Sequence, residues 1–137
     1  ALPISAGDSR IYLQRDGALQ QITRDHIYLM ELLEQAERGE ITREEALANP
    51  AREALTSFIG AGGPEYVDTG SFDLRSGDVM LLCSDGLFKS VPEQDISAIL
   101  REMISKPNDC AWMLVSEALR RGGARQDNTT VALLRYR

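Results

Sequence analysis

Three aspartates stand where predicted strands meet turns. Asp8 interrupts the first strand, Asp85 directly follows the most apolar run of the chain, and Asp127 directly precedes the last strand. A carboxylate at a strand end is held rigidly and can still face a cleft. Several that converge repel one another unless a hard divalent cation lies between them. An all-oxygen ligand set suits Mg²⁺ or Mn²⁺. Two such ions can share a water, acidify it towards hydroxide near neutral pH and clamp a phosphoryl group. Asp-Gly and Asp-Asn are also ordinary turn pairs, so each aspartate taken singly reads as well as a turn or cap residue.

Other chemistries find little support. His26 is the single histidine, which excludes a His-rich zinc site or a two-histidine helix motif and fits a satisfied structural role equally well. Cys83 lies inside the apolar run and reads as a small buried hydrophobe. Cys83 and Cys110 form neither a disulfide framework nor a CxxC pair, which points to a reduced, cytoplasmic setting. The chain has no GxSxG, P-loop or GxGxxG pattern.

The elements that must position these groups follow from periodicity. Alternation predicts strands over Leu2–Ala6 and Ile11–Leu13, with Asp16-Gly17 as a hairpin turn into Ala18–Ile22. From Asp25 to Gly39, Ile27, Met30, Leu33 and Ala36 recur at helical spacing. Thr42 and Glu45 form a capping-box pair for a second short helix to about Ala48, and 51–58 is expected to add a further helical turn. Gly60 to Pro64 reads as a loop and Glu65 to Leu74 as a strand. Val79–Cys83, five apolar residues between turn signals, reads as a strand buried on both faces, and Ser84-Asp85-Gly86 as the loop after it. Pro92 is expected at the first position of a helix ended by Pro107-Asn108. A last helix runs over Ala111–Leu119, and a last strand over Thr129–Leu134. This is an α+β layout.

Composition bounds the partners. With 137 residues, 43% hydrophobic and a formal charge of −6, the chain is long enough for one globular domain and lacks the clustered basic residues of a nucleic-acid surface. No apolar run approaches the ~20 residues of a membrane helix, and no signal pattern opens the chain. The acidic stretch from Glu31 to Glu45 reads as the solvated side of surface helices.

Gly7-Asp8-Ser9-Arg10, Thr23-Arg24-Asp25-His26, Gly77 to Leu87 and Asp127-Asn128-Thr129-Thr130-Val131 occur in that order. Together they resemble the C-terminal motifs of the metal-dependent protein phosphatases of the 2C type, the PPM family, in its bacterial form. The resemblance implies the C-terminal part of an α-β-β-α sandwich with antiparallel sheets. It makes 1–137 a partial phosphatase domain, with a helical flap insert over about 25–60. It implies hydrolysis of phosphoserine and phosphothreonine in protein substrates by water activated at two Mg²⁺ or Mn²⁺ ions, with a weaker third ion. By matching motif, Asp85 and Asp127 would be ligands of the binuclear centre, Asp8 would help hold the third ion, and Gly86 and Asn128 would shape the loops. Asp25 and His26 match a recurrent block to which no catalytic role is carried.

Two departures stand out. Lys89 occupies a position where the family often has a further aspartate for the third ion. The Asp-Gly-x-Gly-Gly-His block of the family's N-terminal half, the acidic residue before it and the phosphate-binding arginine have no match in this sequence. The chain is therefore expected to be a fragment or truncated form with an incomplete metal shell and weak or absent turnover. The alternative is a non-catalytic, phosphatase-like binding or assembly module, which would associate with itself or with a complementing N-terminal half. A generic acidic α+β domain with accidental motif matches is the third reading.

Overall fold

The computed structural model describes residues 1–60, 62 and 66–137. The central element is a four-stranded antiparallel sheet in the order β3-β2-β5-β6, built from β2 (Arg10–Arg15), β3 (Ala18–Gln21), β5 (Val79–Cys83) and β6 (Val131–Arg135). Two further strands, β1 (Ile4–Ser5) and β4 (Asp68–Thr69), pair as a separate ribbon. The β2–β3 hairpin turns on Asp16 and Gly17, both at positive φ (50° and 82°), the backbone that matches the strand twist and that Asp-Gly tolerates.

Strand parity divides the sheet into two faces. Tyr12, Leu81 and Cys83 point to one side, where α4 (Glu93–Met103) and α5 (Pro107–Gly122) cover them with Ile96, Leu100, Leu114 and Ala118. This is the core, and its members are nearly all fully buried. On the other side Leu82 lies opposite Ala132, and Met80 opposite Leu134. Leu82 is 40% exposed and Leu134 49% exposed. The expectation of a strand buried on both faces is thus corrected: only the helix side of β5 is fully covered.

The remaining helices are short. α1 (Tyr28–Glu37) starts later than its periodicity suggests because Asp25, His26 and Ile27 are committed elsewhere. The His26 N–H donates to the Gly7 carbonyl, the Thr56 N–H donates to the His26 carbonyl, and Ile27 forms a bridge with Leu55. α2 (Arg43–Ala48) opens on the expected capping box, with the Glu45 N–H donating to Thr42 Oγ1 and the Thr42 N–H to Glu45 Oε2.

Several expectations are corrected. Residues 51–58 form turns and the Leu55 bridge rather than helix. The strand expected over Glu65 to Leu74 is confined to Asp68–Thr69, and Glu65 itself lies outside the described residues, as do Ala61, Gly63 and Pro64 of the expected loop. Ser84 to Gly86 is not a loop. Asp85–Phe88 forms a one-turn helix, α3, drawn in by the complete burial of Leu87 and of Val91 beyond it. Pro92 sits at the N-cap of α4, and Pro107 both ends the preceding turn and opens α5. Among the described residues no helix is long and apolar enough to cross a membrane.

Candidate metal centre

The centre lies at the ends of β5 and β6, where the chain leaves the sheet towards α3. Ser84 continues the ladder, its N–H donating to the Thr130 carbonyl, and its hydroxyl closes the next step. Ser84 Oγ accepts from the Thr130 N–H and donates to the Asn128 carbonyl, both at 3.0 Å. Gly86 then presses against the opposite loop. A Cβ at Gly86 would lie 2.6 Å from the Asn128 carbonyl oxygen and 3.0 Å from that of Asp127, so only glycine permits this approach.

Gln126 ties the two loops together. Its Nε2 donates to the carbonyls of Gly86 and Asp127, each at 2.9 Å, and to Thr129 Oγ1 at 2.7 Å, while its Oε1 accepts from Ser90 Oγ. A Cβ at Gly122 would collide with this amide. Asp85 and Asp127 are therefore carried on two turns braced backbone to backbone. The Asp127 carboxylate is exposed, and its Oδ1 accepts the N–H of Asn128.

Asp85 and Asp8 converge on a cation supplied by the chain. Lys89 Nζ lies 2.8 Å from Asp85 Oδ2, 3.9 Å from Asp8 Oδ2 and 3.9 Å from Glu53 Oε2. The hydrogen bond to Asp85 raises the Lys89 pKa, with the charges of Asp85 and Asp8 acting in the same direction. Burial, then the neighbouring charge of Asp85, raises the Asp8 carboxyl above its ordinary value, and Lys89 acts against both.

Beneath the centre is a closed polar framework. Arg10 grips both oxygens of buried Asp25 (Nε–Oδ1 2.9 Å, Nη2–Oδ2 2.6 Å), donates to Tyr12 Oη at 2.7 Å and lies 3.7 Å over the Phe88 ring of α3. Burial opposes the Arg10 charge, and the bonds to Asp25 and Tyr12 outweigh it, so its pKa stands above the usual value. His26 is buried, with Nδ1 accepting from the Gly7 N–H at 3.1 Å and Nε2 lying 3.1 Å from Asp68 Oδ2. Because Nδ1 is the acceptor, Nε2 carries the proton and donates to Asp68. His26 thus fixes the turn that bears Asp8.

Sequence reasoning brought Asp8, Asp85, Asp127, Gly86 and Asn128 into view and missed Ser84, Gln126 and Arg10 as positioning residues. The bonding partners of Ser84 and Gln126 lie mostly some 40 positions away, where periodicity carries no signal.

Comparison with known proteins decides the kinship. Residues 38–137 match the family described as Stage II sporulation protein E (SpoIIE). A serine/threonine phosphatase stp from Listeria welshimeri is 38% identical over 130 residues, which are 95% of this chain and 49% of the relative. This chain belongs to the PPM, or 2C-type, protein phosphatase family. Among solved PPM-like structures, the S. agalactiae serine/threonine phosphatase superposes with a TM-score of 0.82 at 30% identity, over 98% of this chain and 54% of that one. The catalytic domain of the phosphatase PstP, in complex with two manganese ions, superposes at 0.68 with 38% identity, over 96% of this chain and 51% of that one. This PPM chain spans about half the length of the Listeria relative.

The donor chemistry fits a metal-dependent phosphatase in part. The candidate ligands are hard carboxylate oxygens on rigid turns, as Mg²⁺ or Mn²⁺ requires. Among the described residues, however, no three Asp, Glu, His or Cys side chains gather in a metal-ligating group. Asp8 and Asp85 meet around an ammonium, and Asp127 stands apart from them on its braced turn.

Proposed function

We propose that this PPM chain supplies one side of the active centre of a protein serine/threonine phosphatase, acting on phosphorylated proteins in a reduced, cytoplasmic setting. The observation that carries the reading is the forced approach of Gly86 to the Asp127 and Asn128 carbonyls, which holds the turns bearing Asp85 and Asp127 against each other at the ends of paired strands. Asp85 and Asp127 would hold Mg²⁺ or Mn²⁺. When bound, such ions supply an acidified water as nucleophile and stabilise charge on the phosphoryl group.

The chain's own residues orient and do not attack. Burial pushes the Cys83 thiol up to about 12, so it offers no thiolate at neutral pH. His26 has both nitrogens engaged, by Gly7 and Asp68, and has no free edge for a proton transfer to substrate. Ser84, Gly86 and Gln126 hold the ligand turns, and Arg10 with Asp25 and Phe88 supports α3 from below. The segment over about 25–60 would serve as the flap beside this centre, with Glu53 facing Lys89.

The test is Mn²⁺ binding by calorimetry together with hydrolysis of p-nitrophenyl phosphate. The reading expects Mn²⁺ binding that is lost in Asp85→Ala, with weak or absent turnover by the 137-residue chain. Mn²⁺ binding untouched by Asp85→Ala would overturn it. Turnover that is lost in Asp85→Ala would instead show that the ligand set here suffices.

A second reading, a binding or assembly module, is favoured by one observation: Leu82 and Leu134 leave one sheet face open opposite a fully covered one. Such a face calls for a second layer, from another copy or from a complementing N-terminal half. Size-exclusion chromatography with light scattering checks this, and a compact, soluble monomer counts against it.

A further inference from the structure

The place between Asp8 and Asp85 is already occupied by a positive charge carried on an anchored turn. Lys89 follows α3 directly, and its N–H donates to the Asp85 carbonyl at 3.0 Å. Its stem therefore rises one turn beyond Asp85 and returns Nζ to the Asp85 carboxylate. The turn cannot easily swing away. Leu87 and Val91 on either side of Lys89 are fully buried, and Phe88 lies beneath the Arg10 guanidinium.

We propose that Lys89 is a resident cation, whose ammonium takes the place of a divalent ion between Asp8 and Asp85, so that the Asp8 side of the centre binds no metal. This deepens the phosphatase reading and rests on it. Two carboxylates with the nearer edges of one ammonium between them have their mutual repulsion relieved without a metal. A divalent ion entering there either displaces Lys89 from its hydrogen bond or sits within a few ångströms of a like charge, and both oppose binding. The ammonium also faces Glu53, so the same charge ties the turn that follows α2 to the centre. Lys89 is a positioning residue, holding Asp8 and Asp85 in place without touching the reacting atoms.

The experiment counts Mn²⁺ by isothermal titration calorimetry on the 137-residue chain, in the wild type, Asp8→Asn, Lys89→Asp and the double variant Lys89→Asp with Asp8→Asn. Far-UV circular dichroism confirms the fold of each, and Lys89→Met, which keeps the stem and removes the charge, substitutes if Lys89→Asp does not fold. The expected result is that Asp8→Asn leaves the wild-type Mn²⁺ count and affinity within about two-fold. Lys89→Asp is expected to add one Mn²⁺ per chain, at least about ten-fold tighter than any wild-type binding that depends on Asp8. That added ion disappears in the double variant. The inference is overturned if Asp8→Asn removes an ion from the wild type, or if neither Lys89→Asp nor Lys89→Met adds one. Asp85→Asn separates the levels. If it leaves Mn²⁺ binding unchanged, the phosphatase reading itself fails. If it abolishes binding while the Lys89 variants add no ion, only the role of Lys89 fails.

Discussion

Replacing Gly86 by alanine sets two physical effects against each other with opposite signs. Gly86 lies in the α3 turn, where exchange for alanine ordinarily stabilises by roughly 0.5–1 kcal/mol through backbone entropy and helix propensity. The new Cβ, however, would stand 2.6 Å from the Asn128 carbonyl oxygen, 2.7 Å from Thr129 Oγ1 and 3.0 Å from the Asp127 carbonyl oxygen. None of these atoms is free to retreat. The Asn128 oxygen accepts from Ser84 Oγ, the Asp127 oxygen accepts from Gln126 Nε2, and Thr129 Oγ1 also accepts from Gln126. Restoring ordinary contact moves the Asp127 turn outward by several tenths of an ångström to one ångström. That strains or breaks about two hydrogen bonds worth about 1 kcal/mol each and adds an overpacking cost of roughly 1–3 kcal/mol. The net expectation is a loss of about 2–4 kcal/mol after the helix gain is subtracted. Urea unfolding followed by circular dichroism reads it as a lower midpoint at unchanged slope. Mn²⁺ titration is expected to show at least ten-fold weaker binding, because the Asp85 and Asp127 turns no longer meet. An alanine variant as stable as the wild type or more so, with Mn²⁺ affinity retained, would refute the claim that the glycine is there for the close approach.

Two further outcomes test the supports on either side. Gln126→Ala removes the shared amide from Gly86, Asp127 and Thr129, and is expected to cost about 2–3 kcal/mol in urea unfolding while weakening Mn²⁺ binding in parallel with Gly86→Ala. Asp78 is held down to about 2 by paired hydrogen bonds from half-buried Arg15 (2.9 and 2.5 Å), with the Arg75 N–H adding to the same effect. A depressed carboxyl stabilises the fold above its unfolded value of 3.8 and loses that contribution as pH falls towards 2. The contribution is about 2 kcal/mol, with roughly half gone by pH 3. Urea midpoints taken between pH 6 and pH 3 should fall less in Asp78→Asn than in the wild type, and equal slopes would contradict the assignment.

What could be read in the sequence was local. The Asp16-Gly17 hairpin, the Thr42–Glu45 capping box and the apolar run of β5 are each specified by a handful of adjacent residues, and each is present. The failures have one cause, which is dependence on distant partners. Asp85–Phe88 carries a turn signal and becomes helix because Leu87 is drawn into a core contributed by α4 and α5. Residues 51–58 carry helix formers and are held open by the Ile27–Leu55 bridge. Leu82 belongs to an apolar run indistinguishable from a doubly buried strand, and its exposure depends on which layers cover the sheet. In the candidate centre the aspartates were legible as residue types at strand ends. Their relative placement was not, since it is set by Gly86, Ser84 and Gln126 acting across the β5–β6 edge.

The framework and the ligand set differ in how complete they are, and the difference locates the chemistry. Arg10 has partners for its charge on Asp25 and Tyr12 and an aromatic face on Phe88, and His26 has both nitrogens engaged. These groups are finished, and nothing entering the centre is needed to satisfy them. Asp85 and Asp8, by contrast, are answered by one ammonium between two carboxylates, and Asp127 by the N–H of the residue beside it. Spare carboxylate acceptor capacity thus lies at one end of β5 and β6. It lies on turns that the finished network below prevents from collapsing onto each other or turning away. Repulsion between Asp8 and Asp85 would open a floppy loop; here Arg10 and Phe88 anchor α3, and His26 anchors the Asp8 turn, so the repulsion is retained as affinity for positive charge. On the proposed reading, Lys89 uses part of that affinity and the Asp127 side would take a cation from solution.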